Sequence, residues 1–207
     1  MKHYTDQGLL HESKLSGKMK GIPSISTSPM LNQNCEKNRQ IKGSICQSCY
    51  AVAGCKMYPS LDKVLNDNSD LLQNILDISS VKTTTLFFRF ESHGDLINEN
   101  HLLNYVNIAK NNPQTKFALW TKVIPIAEEF FNKVKKPENF QLIYSSIMKN
   151  KKINARNLKH MDKIFSVYTK DYIAENNTAI NCGSRSCSTC QVCYTGTGEF
   201  EINERLK

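Results

Sequence analysis

The sequence predicts an α/β protein: a mainly parallel sheet in a partial (β/α) barrel-like arrangement, with cysteine-rich metal-binding loops at both ends of the chain. Three observations predict it. Short runs of β-branched and aromatic residues alternate with helical patterns at intervals of roughly 25 to 30 residues, the signature of βαβ units. The runs "LFF" and "FALW" are almost unbroken in apolar character, as strands covered on both faces are. The 8 cysteines fall into two groups, within residues 35–55 and 182–193.

Taken in order, the strand candidates are "GIPSISTS", "TTTLFFRF", "TKFALW", "FQLIYSSIM", "KIFSVYT" and the short "TAIN". Between them, Leu61, Val64, Leu65, Leu72, Ile75 and Leu76 recur at helical spacing. So do Leu102, Leu103, Val106 and Ala109, and then Ala127, Phe130, Phe131 and Val134. Pro125 falls where the first turn of the last of these helices tolerates it. Five or six such units are too few for an eight-stranded barrel, which leaves a partial barrel or an open sheet. Residues 1–207 read as one domain, with no internal repeat, low-complexity tract or linker.

No apolar run is long enough to cross a bilayer, and the polar N-terminus lacks a signal-peptide core, so a cytoplasmic protein is expected. In a reducing compartment, clustered cysteines point to metal or redox chemistry rather than disulfides. The net charge of +8 favours phosphate-bearing partners, and "MKNKKINARNLKHMDK" concentrates Lys149, Lys151, Lys152, Arg156 and Lys159. A lysine-rich solvated surface explains the same charge.

The C-terminal group reads C-x4-C-x2-C-x2-C (Cys182, Cys187, Cys190, Cys193). Its last three thiols have ferredoxin spacing, in which two-residue gaps let a short loop wrap one face of an iron–sulfur cluster. Zinc is the rival. It favours four thiolates, commonly as two separated knuckles, and three evenly spaced thiols suit a cluster face better. The upstream group reads C-x10-C-x2-C-x5-C (Cys35, Cys46, Cys49, Cys55). Cys49 is placed to start a helix, whose amides stabilise an anionic cluster. Cys55, six residues on, faces another side of that helix and reads as a packing residue. The ligand candidates are therefore Cys35, Cys46, Cys49, Cys182, Cys187, Cys190 and Cys193. They hold one or two clusters, expected to be [4Fe–4S], with zinc as the alternative.

In α/β sheets, ligands sit at the carboxyl ends of the strands. The polar residues that end each apolar run are Arg89, Glu91, His93, Asp95, Lys122, Ser145, Ser146, Tyr168 and Lys170. Of these, Arg89, Glu91, Asp95, Lys122 and Tyr168 are the pocket candidates. A nucleophile elbow, a phosphate-cradling glycine loop and an H-E-x-x-H helix are all absent from the sequence.

The order "GIPSIS", "SICQSCYA", "RFESHGDL", "FALWTK", "IYSS", "VYT" and "NCGSRSCSTCQVCY" resembles the bacteriophage gene product 88 family over most of the chain. The resemblance implies phage origin, a host-cytoplasmic setting and an iron–sulfur site. It implies no activity. A more distant resemblance to radical S-adenosylmethionine enzymes implies redox or radical-type chemistry on a small molecule. Their C-x3-C-x2-C loop is not matched, because Cys182–Cys187–Cys190 carries one residue too many. The competing reading is a zinc-stapled basic module that binds nucleic acid, or a surface that engages a host protein.

Overall fold

The computed structural model describes residues 1–183 and 185–206. Ser184, inside the C-terminal cysteine motif, and Lys207, the last residue of the span read as one domain, lie outside the described residues. A hairpin, β1 (Lys2–Tyr4) and β2 (Leu9–His11), stands apart from the main sheet. That sheet has seven strands in the order of the chain: β3 (Ser13–Lys14), β4 (Pro23–Ile25), β5 (Phe87–Phe90), β6 (Lys116–Thr121), β7 (Phe140–Ser145), β8 (Lys163–Tyr168) and β9 (Glu201–Arg205). β3 runs antiparallel to β4, and every other neighbouring pair is parallel.

The expected alternation of strands and helices is present. Helix α1 spans Gln33–Gln40, α2 Tyr50–Met57, α3 Pro59–Leu72, α4 Glu99–Asn111, α5 Ile124–Lys133, α6 Lys170–Asn176 and α7 Cys187–Cys190. α3 stops at Leu72, short of the predicted Ile75 and Leu76; the chain beyond it still buries Leu76 while Ile75 is exposed. Pro125 lies in the first turn of α5. Asn98 caps α4 by accepting from the His101 backbone N–H at 2.9 Å.

Five of the predicted runs carry strands; "TAIN" does not. Next to it, Cys182 makes only a single bridge to Glu204. The strand at that edge is β9, in "EINER", whose charged sequence gives no β signal and which buries Ile202 and Asn203.

Alternate side chains divide the sheet into two faces. Phe88, Phe90, Phe117, Leu119, Phe140, Leu142 and Tyr144 meet α4 and α5 in the main core. Phe90 is stacked between Tyr105 (4.0 Å) and Phe117 (5.2 Å). Each such ring, fully buried, contributes about 1.5–3 kcal/mol. The opposite face carries a smaller apolar cluster of Phe87, Ala118, Ile143 and Ile202. What covers it is the C-terminal cysteine segment: Tyr194, with Cys182, Cys187, Val192 and Cys193 packed alongside.

The strand order never reverses, so the switch point of a doubly wound sheet is missing. Among the described residues the edge strands β3 and β9 do not pair, and no closed barrel forms. The two edges communicate instead through an ion pair. Lys18, in a 3-10 turn (Gly17–Met19) between β3 and β4, reaches Glu204 of β9 at 2.5 Å.

The basic segment 148–163 is largely an irregular connection between β7 and β8. Lys152 pairs with Glu201, while Ile153, Leu158 and Met161 pack on the helix-side core. Among the described residues, no helix is long and apolar enough to cross a membrane.

Candidate metal centre

The C-terminal thiols reach one place because the chain turns sharply between them. Ser186 caps α7, its hydroxyl accepting from the Thr189 N–H at 3.3 Å. Gln191 then takes the left-handed conformation (φ 59°) and donates its N–H to Cys187 O at 2.9 Å. A 3-10 turn over Val192–Tyr194 follows. Cys182 is fixed separately, beside β9, by its N–H donating to Asn203 O at 3.1 Å. Tyr194 anchors the assembly on the sheet, its ring 4.9 Å from Phe87 and 6.1 Å from Trp120.

Cys182, Cys187, Cys190 and Cys193 line one cavity of about 340 Å³ together with Lys18. Burial raises the Cys182, Cys187 and Cys193 thiols, and the neighbouring sulfurs raise them further. Cys193 is pushed up to about 12. Two cations oppose this. Lys18 donates to Cys182 Sγ at 3.3 Å and pulls both Cys182 and Cys187 down, and Arg89 pulls Cys187 and Cys193 down. Arg89 lies 4.0 Å over the Trp120 ring and donates to Met19 Sδ at 2.9 Å. Among the described residues it has no carboxylate partner. No three described His, Cys, Asp or Glu side chains stand in an arrangement that could hold a metal ion.

The upstream thiols lie at the carboxyl ends of β5 to β7. Asn32 caps α1, accepting from Cys35 N–H at 3.1 Å while donating to Asp95 O at 2.7 Å. Ser44 accepts from Cys46 N–H at 2.9 Å, and Ile45 N–H donates to Ile147 O at 2.9 Å. Cys49 is the cap residue of α2, where the sequence placed a helix start. Burial raises the Cys35 thiol; the charges of Asp95, Glu91 and Cys46 add to this and Lys122 opposes it. Cys55 is buried in α2, its thiol pushed up to about 11 by burial and by Asp62. The thiols that act on Cys182, Cys187 and Cys193 all belong to their own group, while Cys46 acts on Cys35 and Cys49 on Cys55.

The five pocket candidates divide. Arg89 lies beside the C-terminal thiols and Lys122 beside Cys35. Glu91 and Asp95 are buried and saturated with donors rather than open to a ligand. Glu91 accepts from Tyr105 Oη at 2.5 Å and from Thr27 N and Oγ1 at 3.2 and 3.0 Å. His101 Nε2 is 3.3 Å from Glu91, near enough for attraction but misaligned for a hydrogen bond. Burial works to raise Glu91, but the His101, Tyr105 and Thr27 contacts outweigh it and hold the carboxyl low. Asp95 accepts from Thr121 Oγ1 and from the Leu96 and Lys122 N–H groups, yet burial still holds it high. Tyr168 stands in a different cavity of about 440 Å³, stacked on Tyr172 at 5.6 Å. Of the other rim residues, Ser146 donates to Lys151 O at 2.7 Å and Lys170 opens α6.

The sequence reading missed Lys18, Met19 and Trp120, which have no local signature. It also missed Ser24 and Ser26, whose alternation in "PSIS" puts two hydroxyls on one strand face.

The gene product 88 family model matches residues 5–192, which take in both cysteine groups up to one residue short of Cys193. The chain belongs to the gene product 88 family. The resemblance to phage gene products is borne out at the level of the family. Comparison with curated proteins and with solved structures finds no match. The matched span takes in the upstream thiols, the "ESHGD" turn and Cys182, Cys187 and Cys190, but not Cys193.

Proposed function

We propose that the protein is an iron–sulfur protein whose cluster is held by Cys182, Cys187, Cys190 and Cys193 on the face of the sheet opposite the main core. The supporting observation is that these thiols share one cavity flanked by two cations, Lys18 and Arg89. Four thiolates lining one cavity, each half-buried, repel one another, and a bound cationic centre makes their joint deprotonation favourable. The donor set, all sulfur, selects soft metals, zinc or iron–sulfur.

An iron–sulfur centre supplies one-electron transfer. The chain's own residues do the rest. Lys18 and Arg89 offset the negative charge of the thiolate set, and Tyr194 and Trp120 keep water from one side of it. Cys35, Cys46 and Cys49 are proposed as the ligand group of a second centre at the carboxyl ends of the strands, with Lys122 as its neighbouring cation. A catalytic role of the radical type rests on the distant resemblance alone, as does a small-molecule substrate.

Anaerobic purification with metal and acid-labile sulfide analysis tests the reading. Brown protein with iron matched by sulfide is the expected result. Colourless protein retaining zinc overturns it in favour of a structural zinc site. The basic segment supports nucleic-acid binding weakly, since Lys152 is already paired and the segment's apolar residues pack inward.

A further inference from the structure

At the carboxyl end of β5 lies a polar cluster that takes no part in the thiol sites. Ser24 and Ser26, alternate residues of β4 and its continuation, share a face with Ser92, in the turn after β5. Ser24 Oγ lies 3.0 Å from Ser26 Oγ and donates to Ser92 Oγ at 3.1 Å, and Ser26 Oγ lies 2.8 Å from Ser92 Oγ. Ser92 N–H donates to Ser26 Oγ at 2.9 Å. Ser92 Oγ is also 2.9 Å from His93 Nδ1. All three serines are buried.

Each hydroxyl has one proton to give. Ser24 gives its proton to Ser92. The Ser24–Ser26 contact therefore needs the proton of Ser26, and the Ser26–Ser92 contact needs the proton of Ser92. The ring then runs Ser24 to Ser92 to Ser26 to Ser24, each member donating once. Nothing remains on Ser92 to donate to the imidazole, so Nδ1 must be the donor. The opposite assignment, with Ser92 donating to His93, leaves one of the three short hydroxyl contacts without a proton, which is repulsive for buried oxygens.

We infer that this serine ring fixes His93 in the Nδ1–H tautomer, so that Nε2 is an unprotonated proton-acceptor site for a substrate carrying an acidic O–H or N–H. Among the described residues Nε2 has no hydrogen-bond partner, and it is not among the atoms sealed from solvent. Burial lowers the imidazole's affinity for a second proton, with Arg89 acting in the same sense and Glu91 against it. The Tyr50 ring of α2 stands 6.0 Å away. A proton taken from the substrate resides on Nε2, leaves the substrate as its anion, and returns to water. The Arg89 guanidinium of the preceding strand, which has no carboxylate partner among the described residues, supplies a positive field for that anion. The inference does not depend on metal binding.

Nitrogen-15 imidazole correlation spectra of the full chain at neutral pH test it, with His93 assigned through H93Q. The expected spectrum shows a protonated Nδ1 and a bare Nε2. In S92A, which removes the acceptor for Nδ1–H, the tautomers should mix. Diethyl pyrocarbonate, which attacks an unprotonated ring nitrogen, should modify His93 at least about tenfold faster than the fully buried His101, whose reaction needs local opening. A wild-type spectrum with the proton on Nε2 overturns the inference, whether or not S92A folds. So does folded S92A with an unchanged His93, or a His93 no more reactive than His101.

Discussion

The turn that carries the strand-end cluster leaves no room for a methyl group at Gly94. A Cβ added there would meet Thr27 Oγ1 inside contact distance, with Thr27 O at 2.6 Å and its carbonyl carbon at 2.9 Å. Two of these atoms are backbone at the end of β4, so G94A must push the strand end and the turn apart. Over-packing of this kind costs about 1–3 kcal/mol. The displaced Thr27 also carries two hydrogen bonds to the buried Glu91 carboxylate, at 3.0 and 3.2 Å. Weakening a bond to a buried charge adds about 1.5–3 kcal/mol. Together these give a loss of about 2.5–6 kcal/mol, or a fall in Tm on the order of 10 °C for a chain of this size. Gly54 provides the contrast. It lies within α2, where a Cβ would make an ordinary 3.5 Å contact with Leu61, so G54A should stabilise by about 0.5–1 kcal/mol. Calorimetric unfolding of both variants reads the difference. A G94A protein as stable as wild type would show that the turn is not packed on β4 in this way.

Three further outcomes follow from the charges and burial. Because Glu91 is held below its ordinary value in the fold, its ionised form contributes stability that is present above the ordinary carboxylate range and lost as pH falls through the folded value. E91Q should therefore lose about 3–5 kcal/mol at neutral pH and flatten the acid limb of a stability–pH curve; an unchanged acid slope refutes this. K18M should slow iodoacetamide alkylation of Cys182 at mildly alkaline pH in metal-free protein, because Lys18 pulls that thiol down against burial. Equal rates would mean that the 3.3 Å contact has no electrostatic consequence. C55A should cost about 1–2 kcal/mol as a lost buried packing group and leave the metal content unchanged, and loss of metal would make Cys55 a ligand.

The parallel strands β5 to β8 were legible because they are largely buried on both faces and so read as apolar runs. β9 was not, because an edge strand at the protein surface buries only two residues, Ile202 on one face and Asn203 on the other, and "EINER" otherwise looks like a solvated tail. Cysteine spacing groups the C-terminal thiols, and the four do line one cavity. It could not foresee that this segment covers the second face of the sheet, because that depends on Tyr194 finding Phe87 and Trp120 across long sequence separations. The rim residues show the limit of reading polarity at strand ends. Glu91 and Asp95 are polar there because they tie β4, β5 and β6 together, whereas Tyr168 belongs to another cavity. Lys18, from a loop between two short strands, became visible only when the fold brought it to Cys182 and Glu204.

Sulfur ligation of iron by the C-terminal thiols is tested most directly by X-ray absorption at the iron edge of anaerobically purified protein. The expected spectrum has a sulfur shell with short iron–iron scattering; the iron that carries this signal falls when Cys187 and Cys190 are both replaced by Ala, leaving only what a second centre at Cys35, Cys46 and Cys49 holds, while Cys55→Ala retains it in full. Protein without iron, or iron surrounded only by nitrogen and oxygen, would contradict the proposal.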